Sequence, residues 1–224
     1  MNKTRIEYLD YTWSPTVGCE GIGCAVRKQC WAAAQEKRQK HRCELCYSFV
    51  PHVHWERFEE PLKLHKSSII GVSFCGEFFS DKITEWVRLK LFMVMEKASQ
   101  HTFIILTKQP QNIDLTEPIP KNVWLGVSVN TQKDVWRIDV LRDVHTSVRI
   151  VSFEPLYEAI VASLKDVDWV IIGAQTRPLV TPKTGWVQNL IQSANLHQIP
   201  VFLKNNLKPE WETKKYQEYP LKVK

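Results

Sequence analysis

Five of the chain's six cysteines fall within the 28 residues from Cys19 to Cys46. They run C-x4-C-x5-C-W, then twelve residues, then C-x2-C, with His52 and His54 following. Thiolate and imidazole donors at this density have two chemical readings, a metal site or a disulfide knot. Disulfide scaffolds serve small secreted domains that cannot bury a core, whereas 224 residues at 44% hydrophobic can. The first ten residues mix Lys3, Arg5, Glu7 and Asp10 with no apolar stretch behind them, and no run approaches the roughly 18 apolar residues of a membrane span. The expectation is a cytoplasmic protein with reduced thiols and no membrane partner, in which the cysteines hold metal.

The cysteines divide by spacing. Three in one loop, leaving a strand and entering a helix, can bind three irons of a four-iron cluster and leave the fourth open to a substrate or cofactor. Cys19, Cys24 and Cys30 have that layout, with Trp31 directly after. Cys43, Cys46, His52 and His54 follow the pattern C-x2-C-x5-H-x-H, which is zinc-like. At this level three fates stay open for that second group: a tetrahedral site of its own, a share in the first site, or packed thiols beside surface histidines. Cys75 stands alone and reads first as a small core residue.

These side chains need a frame to position them. From residue 67 onward, short β-branched runs alternate with longer segments of helical period. Strands are expected at 68–74, 102–107, 123–129, 148–153, 169–173 and 200–204, and helices at 83–99, 132–144, 160–165 and 184–197. Several strands are apolar on successive residues, as in Thr102-Phe103-Ile104-Ile105-Leu106, which is how strands buried on both faces read. A first strand over 11–18 leads into the cysteines, and a helix over 30–41 follows them. Alternation of this kind makes an α/β fold with a parallel sheet. Six or seven βα units fall short of the eight that need about 250 residues, so a partial, open βα barrel is expected, with a flat doubly wound sheet as the fallback. No linker or repeat divides the chain, which reads as a single domain, 1–224, with a metal-binding loop and insertion at 19–66.

Both architectures gather chemistry where strands end. The second predicted strand ends in Cys75-Gly76-Glu77 with Asp81 soon after, the third in Thr107-Lys108, the fourth in Ser128 and Asn130. The fifth ends in Ser152 and Glu154, the sixth in Gly173 and Gln175, the last in Lys204 and Asn205. Glu154, Lys108 and Lys204 are the candidate catalytic side chains. Pro155 disfavours helical geometry at Glu154 and keeps it extended. Trp13, Trp31, Trp124, Trp169 and Trp186 flank predicted elements and are expected to pack in the core. A formal charge of +6 permits an anionic partner, with basic residues concentrated around the cysteines (Arg27, Lys28, Lys37, Arg38, Lys40, Arg42) and in the tail (Lys204, Lys208, Lys214, Lys215, Lys222, Lys224).

The stretches Thr12-Trp13-Ser14-Pro15-Thr16-Val17-Gly18-Cys19, Phe74-Cys75-Gly76-Glu77-Phe78-Phe79, Gln100-His101-Thr102-Phe103-Ile104-Ile105-Leu106-Thr107-Lys108, Asn122-Val123-Trp124-Leu125-Gly126-Val127-Ser128-Val129, Val151-Ser152-Phe153-Glu154-Pro155-Leu156 and Asp168-Trp169-Val170-Ile171-Ile172-Gly173-Ala174-Gln175 resemble the successive signatures of the phage-associated three-cysteine-motif family, itself similar to radical S-adenosylmethionine (SAM) enzymes. The resemblance covers nearly the whole chain. It implies that Cys19, Cys24 and Cys30 ligate a 4Fe-4S cluster and that the Gly76-Glu77 turn receives the amino group of SAM. It also implies that Ser128 and Glu154 face the carboxylate and ribose, and that Gly173 and Gln175 pass near the adenine. The chemistry implied is one-electron reduction of SAM, fed by a flavodoxin- or ferredoxin-type reductant, to begin radical chemistry on a nucleic-acid or nucleotide substrate. The spacing departs from the usual C-x3-C-x2-C of radical SAM enzymes.

Three functions follow. The first is a radical-SAM-like iron-sulfur enzyme. The second is a zinc-stabilised nucleic-acid-binding protein. The third is a metal-dependent hydrolase or lyase using Glu77, Asp81 and Glu154.

Overall fold

The structure, a computed structural model, describes residues 1–39, 41, 43–114, 119–207 and 211–220. The basic residues Lys40, Arg42, Lys208, Lys222 and Lys224 lie outside them. Twelve strands are described: β1 (Asn2–Lys3), β2 (Tyr11–Trp13), β3 (Thr16–Val17), β4 (His52–Val53), β5 (Ile69–Val72), β6 (Thr102–Thr107), β7 (Val123–Ser128), β8 (Arg149–Phe153), β9 (Trp169–Ile172), β10 (Gln175–Thr176), β11 (Leu179–Val180) and β12 (Val201–Leu203). The α-helices are α1 (Trp31–Glu36), α2 (Glu44–Ser48), α3 (Glu85–Lys97), α4 (Trp136–Asp143) and α5 (Thr184–Leu196).

Eight strands form one mixed, mostly parallel sheet in the order β1-β2-β5-β6-β7-β8-β9-β12. The edge strand β1 is antiparallel to β2, while β2/β5, β5/β6, β7/β8, β8/β9 and β9/β12 are parallel. The order never reverses along the chain. A doubly wound sheet requires such a reversal, so that fallback is set aside. All six residues of β7 and all four of β9 are buried, as expected of strands covered on both faces.

The chain groups into two compact units, residues 1–124 with 145–147, and residues 125–144 with 148–224. In the first, Trp13 is fully buried against Phe103, its indole N–H donating to the Arg57 carbonyl at 2.8 Å. The helix α3 presents Val87, Leu91, Phe92 and Met95 to this core, with Glu85 in its first turn and Lys97 in its last, matching the helix dipole. In the second unit Trp169 packs edge-on against Phe202 and donates to the Glu218 carbonyl, and α5 buries Val187, Leu190, Ile191 and Ala194 at helical spacing.

Several elements differ from the sequence reading. No helix forms over 160–165: the backbone N–H and C=O of Val161 are both taken by the side-chain amide of Gln132, and six residues are too few to nucleate a helix unaided. The first strand breaks at Ser14-Pro15 into β2 and β3, since proline cannot donate to the ladder. The helix after Cys30 ends at Glu36 and continues as a 3-10 turn to Gln39. Trp31 is exposed rather than in the core, and Trp186 is half-buried beneath the Lys183 ammonium. No helix among the described residues is long and apolar enough to cross a membrane.

Candidate metal centre

The second cysteine group assembles as a site. The thiol of Cys43 caps α2, accepting from the Cys46 N–H, and Cys46 lies within that helix. His52 and His54 stand on and just after β4, which pairs antiparallel with β3. The four donor atoms all lie within 4.8 Å of one another. His52 Nε2 is 3.6 Å from Cys43 Sγ and 3.4 Å from Cys46 Sγ, and His54 Nε2 is 3.2 Å from Cys46 Sγ. Each histidine is oriented from behind: His52 Nδ1 donates to the Val50 carbonyl and His54 Nδ1 to the Glu56 carboxylate, both at 2.8 Å. Burial, then the Arg57 charge, hold the His54 imidazole below its ordinary pKa, and burial pushes the Cys46 thiol up to about 12. This group could bind a metal ion. Among the described residues no other three or more Cys, His, Asp or Glu side chains stand so close.

The first group is spread along a loop. Gly18 opens it in a left-handed conformation (φ +92°), and a Cβ there would sit 2.2 Å from the Val50 carbonyl oxygen. The Cys19 N–H donates to the Phe49 carbonyl at 3.2 Å, so the loop starts against the turn of the second group. Gly21 and Gly23 also have positive φ and let the chain turn between Cys19 and Cys24. Cys19 Sγ accepts the Gly21 N–H at 3.2 Å and Cys30 Sγ the Ala33 N–H at 3.5 Å. Burial raises the Cys19 thiol to about 11. Arg27, Lys28, Lys37 and Arg38 on this segment are all exposed.

Beside the loop lies the predicted Cys75-Gly76-Glu77 turn. Gly76 bridges Gly18, and a Cβ on it would meet the Gly18 carbonyl at 2.9 Å. The Glu77 carboxylate is buried and held by three protein donors. Thr107 Oγ1 and the Phe79 N–H reach Oε1 at 2.5 and 3.1 Å, and the Lys108 N–H reaches Oε2 at 2.9 Å. Cys75 is buried, contacts the Gln35 amide at 3.7 Å, and has its thiol pushed far up by burial and by the nearby Glu36 carboxylate. Asp81 is exposed and hydrogen-bonds Glu20, raising the Glu20 carboxyl.

The second unit carries the remaining predicted residues. Glu154 forms an ion pair with the buried Lys204, packed so closely over Gly173 that a Cβ there would meet Glu154 Cγ at 3.0 Å and Lys204 Cδ at 3.1 Å. Gln175 is buried, accepting from the Tyr157 hydroxyl at 2.5 Å and donating to the Pro178 carbonyl at 2.9 Å. The buried Ser128 accepts from Arg137 through its carbonyl at 2.7 Å.

The family described as a protein of unknown function, DUF5131, matches residues 3–221. The chain belongs to the DUF5131 family. No curated protein and no solved structure matches it. In this DUF5131 chain the structure brings together Cys43, Cys46, His52 and His54, and separately Glu154, Lys204 and Gly173. Sequence reasoning overlooked Glu56, Thr107 as a partner of Glu77, Glu36 and Tyr157. For Glu56 a signal existed in His54-x-Glu56, an acid two residues from a candidate ligand. The others contact their partners across 18 to 39 positions, which local spacing cannot reveal.

Proposed function

We propose that this protein is an iron-sulfur enzyme of the radical-SAM type, built on an open βα barrel. The observation that carries the reading is the Gly18–Cys30 loop: it leaves β3, presents three thiols and enters α1, with its root bridged to Gly76 next to the buried Glu77. The monotonic strand order supports the barrel.

Three thiolates suit an iron-sulfur cluster, and N–H donors to Cys19 and Cys30 already aim at the sulfurs. A bound cluster with one open iron supplies single-electron reduction of SAM. The protein's part is positional. Gly18, Gly21 and Gly23 bend the loop, and Glu77 ties the ends of β5 and β6 together through Thr107 and Lys108. Ser128, Glu154, Gly173 and Gln175 remain the residues proposed to receive SAM. The exposed Arg27, Lys28, Lys37 and Arg38 support an anionic partner, either a nucleic-acid or nucleotide substrate or a flavodoxin- or ferredoxin-type reductant. The likeness to phage-associated three-cysteine-motif proteins and a cytoplasmic setting belong to the same reading.

Anaerobic reconstitution with iron and sulfide tests it. The expected result is a brown protein that cleaves SAM when reduced and loses both properties on Cys24→Ala. A colourless protein that binds DNA or RNA in a salt-dependent way, with no SAM affinity, selects instead a metal-stabilised nucleic-acid-binding protein, a reading favoured by the Cys43, Cys46, His52 and His54 geometry.

A further inference from the structure

We infer that Cys43, Cys46, His52 and His54 form a closed, structural Zn2+ site that clasps the turn holding Cys19. The inference rests on the second group alone and stands whether or not the three-cysteine loop takes iron.

Tetrahedral zinc with bonds of about 2.3 Å to sulfur and 2.0–2.1 Å to nitrogen sets S···N edges of about 3.5 Å. Three of the four S···N separations are 3.6, 3.4 and 3.2 Å, and all four donor atoms lie within 4.8 Å of one another. The protonation pattern points the same way. A carbonyl and a carboxylate can only accept, so His52 and His54 each carry their proton on Nδ1. Their Nε2 lone pairs then lie 2.9 Å apart beside two sulfurs, so that four donor atoms face one shared position. Two thiols and two imidazoles suit zinc, and four protein donors leave no position for substrate.

The task follows from connectivity. The ion would join the start of α2 to β4. Between them runs the turn through Phe49, itself left-handed (φ 56°), Val50 and Pro51. That turn accepts the Cys19 N–H through Phe49 and walls Gly18 through Val50.

Metal analysis of the full-length chain, purified without chelator, is expected to give one zinc per chain. The zinc is retained when Cys19, Cys24 and Cys30 are all replaced by alanine and retained in His52→Cys, which keeps a structural ligand set. It is lost in Cys46→Ser. Glu56→Ala, which removes the support behind His54, weakens zinc binding about tenfold or more. Co2+ loaded into the wild-type chain serves if Cys46→Ser fails to fold, and intense tetrahedral d–d absorption is expected. Wild-type protein without zinc, zinc lost from the triple-alanine variant, or a weak octahedral Co2+ spectrum overturns the site. For the clasp, removing zinc with a chelator is expected to lower hydrogen-exchange protection of the Cys19 amide about tenfold or more. Unchanged protection after zinc loss overturns that role.

Discussion

Thr107 Oγ1 lies 2.5 Å from Glu77 Oε1, a contact between the last residue of β6 and a carboxylate buried just beyond β5. Buried carboxylates are tolerated when donors surround them, and here a side chain supplies one of three. Thr107→Val keeps the shape and removes the donor. It is expected to destabilise by about 1–3 kcal/mol in urea unfolding, with Thr107→Ser recovering most of the loss. Equal stability of the valine and serine variants would show that the hydroxyl contributes nothing.

Gly18→Ala introduces a methyl where the Val50 carbonyl oxygen stands 2.2 Å away, and it does so at a φ of +92°. The position cannot relax without moving backbone. A loss of at least about 2 kcal/mol is expected, together with reduced protection of the Cys19 amide. Gly23→Ala meets no neighbouring atom and bears only the cost of its φ of +61°, about 1 kcal/mol. If Gly23→Ala is the more damaging of the two, crowding at Gly18 is not the controlling effect.

Glu154 and Lys204 depend on each other. Lys204→Met leaves a half-buried carboxylate without its cation and is expected to cost roughly 1–3 kcal/mol, reduced from the fully buried range by Glu154's remaining exposure. Adding Glu154→Gln should restore much of the difference. Additive thermal shifts in the double variant would contradict a direct coupling.

The thiolate is the nucleophile, and Cys75 has its pKa raised by burial and by Glu36. The thiolate fraction therefore grows only as pH climbs toward that raised value, so iodoacetamide should label native Cys75 very slowly at pH 7 and faster above pH 9. Mass spectrometry of the native chain checks this, and rapid labelling at pH 7 would place Cys75 nearer solvent than its burial indicates.

Sequence periodicity located the sheet strands well, because runs such as Trp169-Val170-Ile171-Ile172 are buried on both faces and carry little else. It also picked out Cys43, Cys46, His52 and His54 as one group, since metal-ligand spacing is local. It erred at 160–165, where the side chain of Gln132, 29 positions from Val161, takes the backbone groups a helix would have used. It missed β4 and the hairpin β10/β11, whose two-residue strands have no period to read. The rim residues Glu77 and Gln175 were picked as polar strand ends, yet their buried partners Thr107 and Tyr157 depend on tertiary packing.

The segment between β2 and β5 carries five cysteines together with His52 and His54, and its two flanking strands are hydrogen-bonded neighbours. Adjacent strands lie about 4.8 Å apart, so the sheet itself closes the ends of this long excursion. Opening the excursion would leave Tyr11 paired with Ile70 and Trp13 with Val72, while breaking the Trp13 indole bond to Arg57 and the Gly18–Gly76 bridge. The paired strands β2 and β5 therefore supply a short, fixed base on which the cysteine-bearing segment can order at a low closure cost.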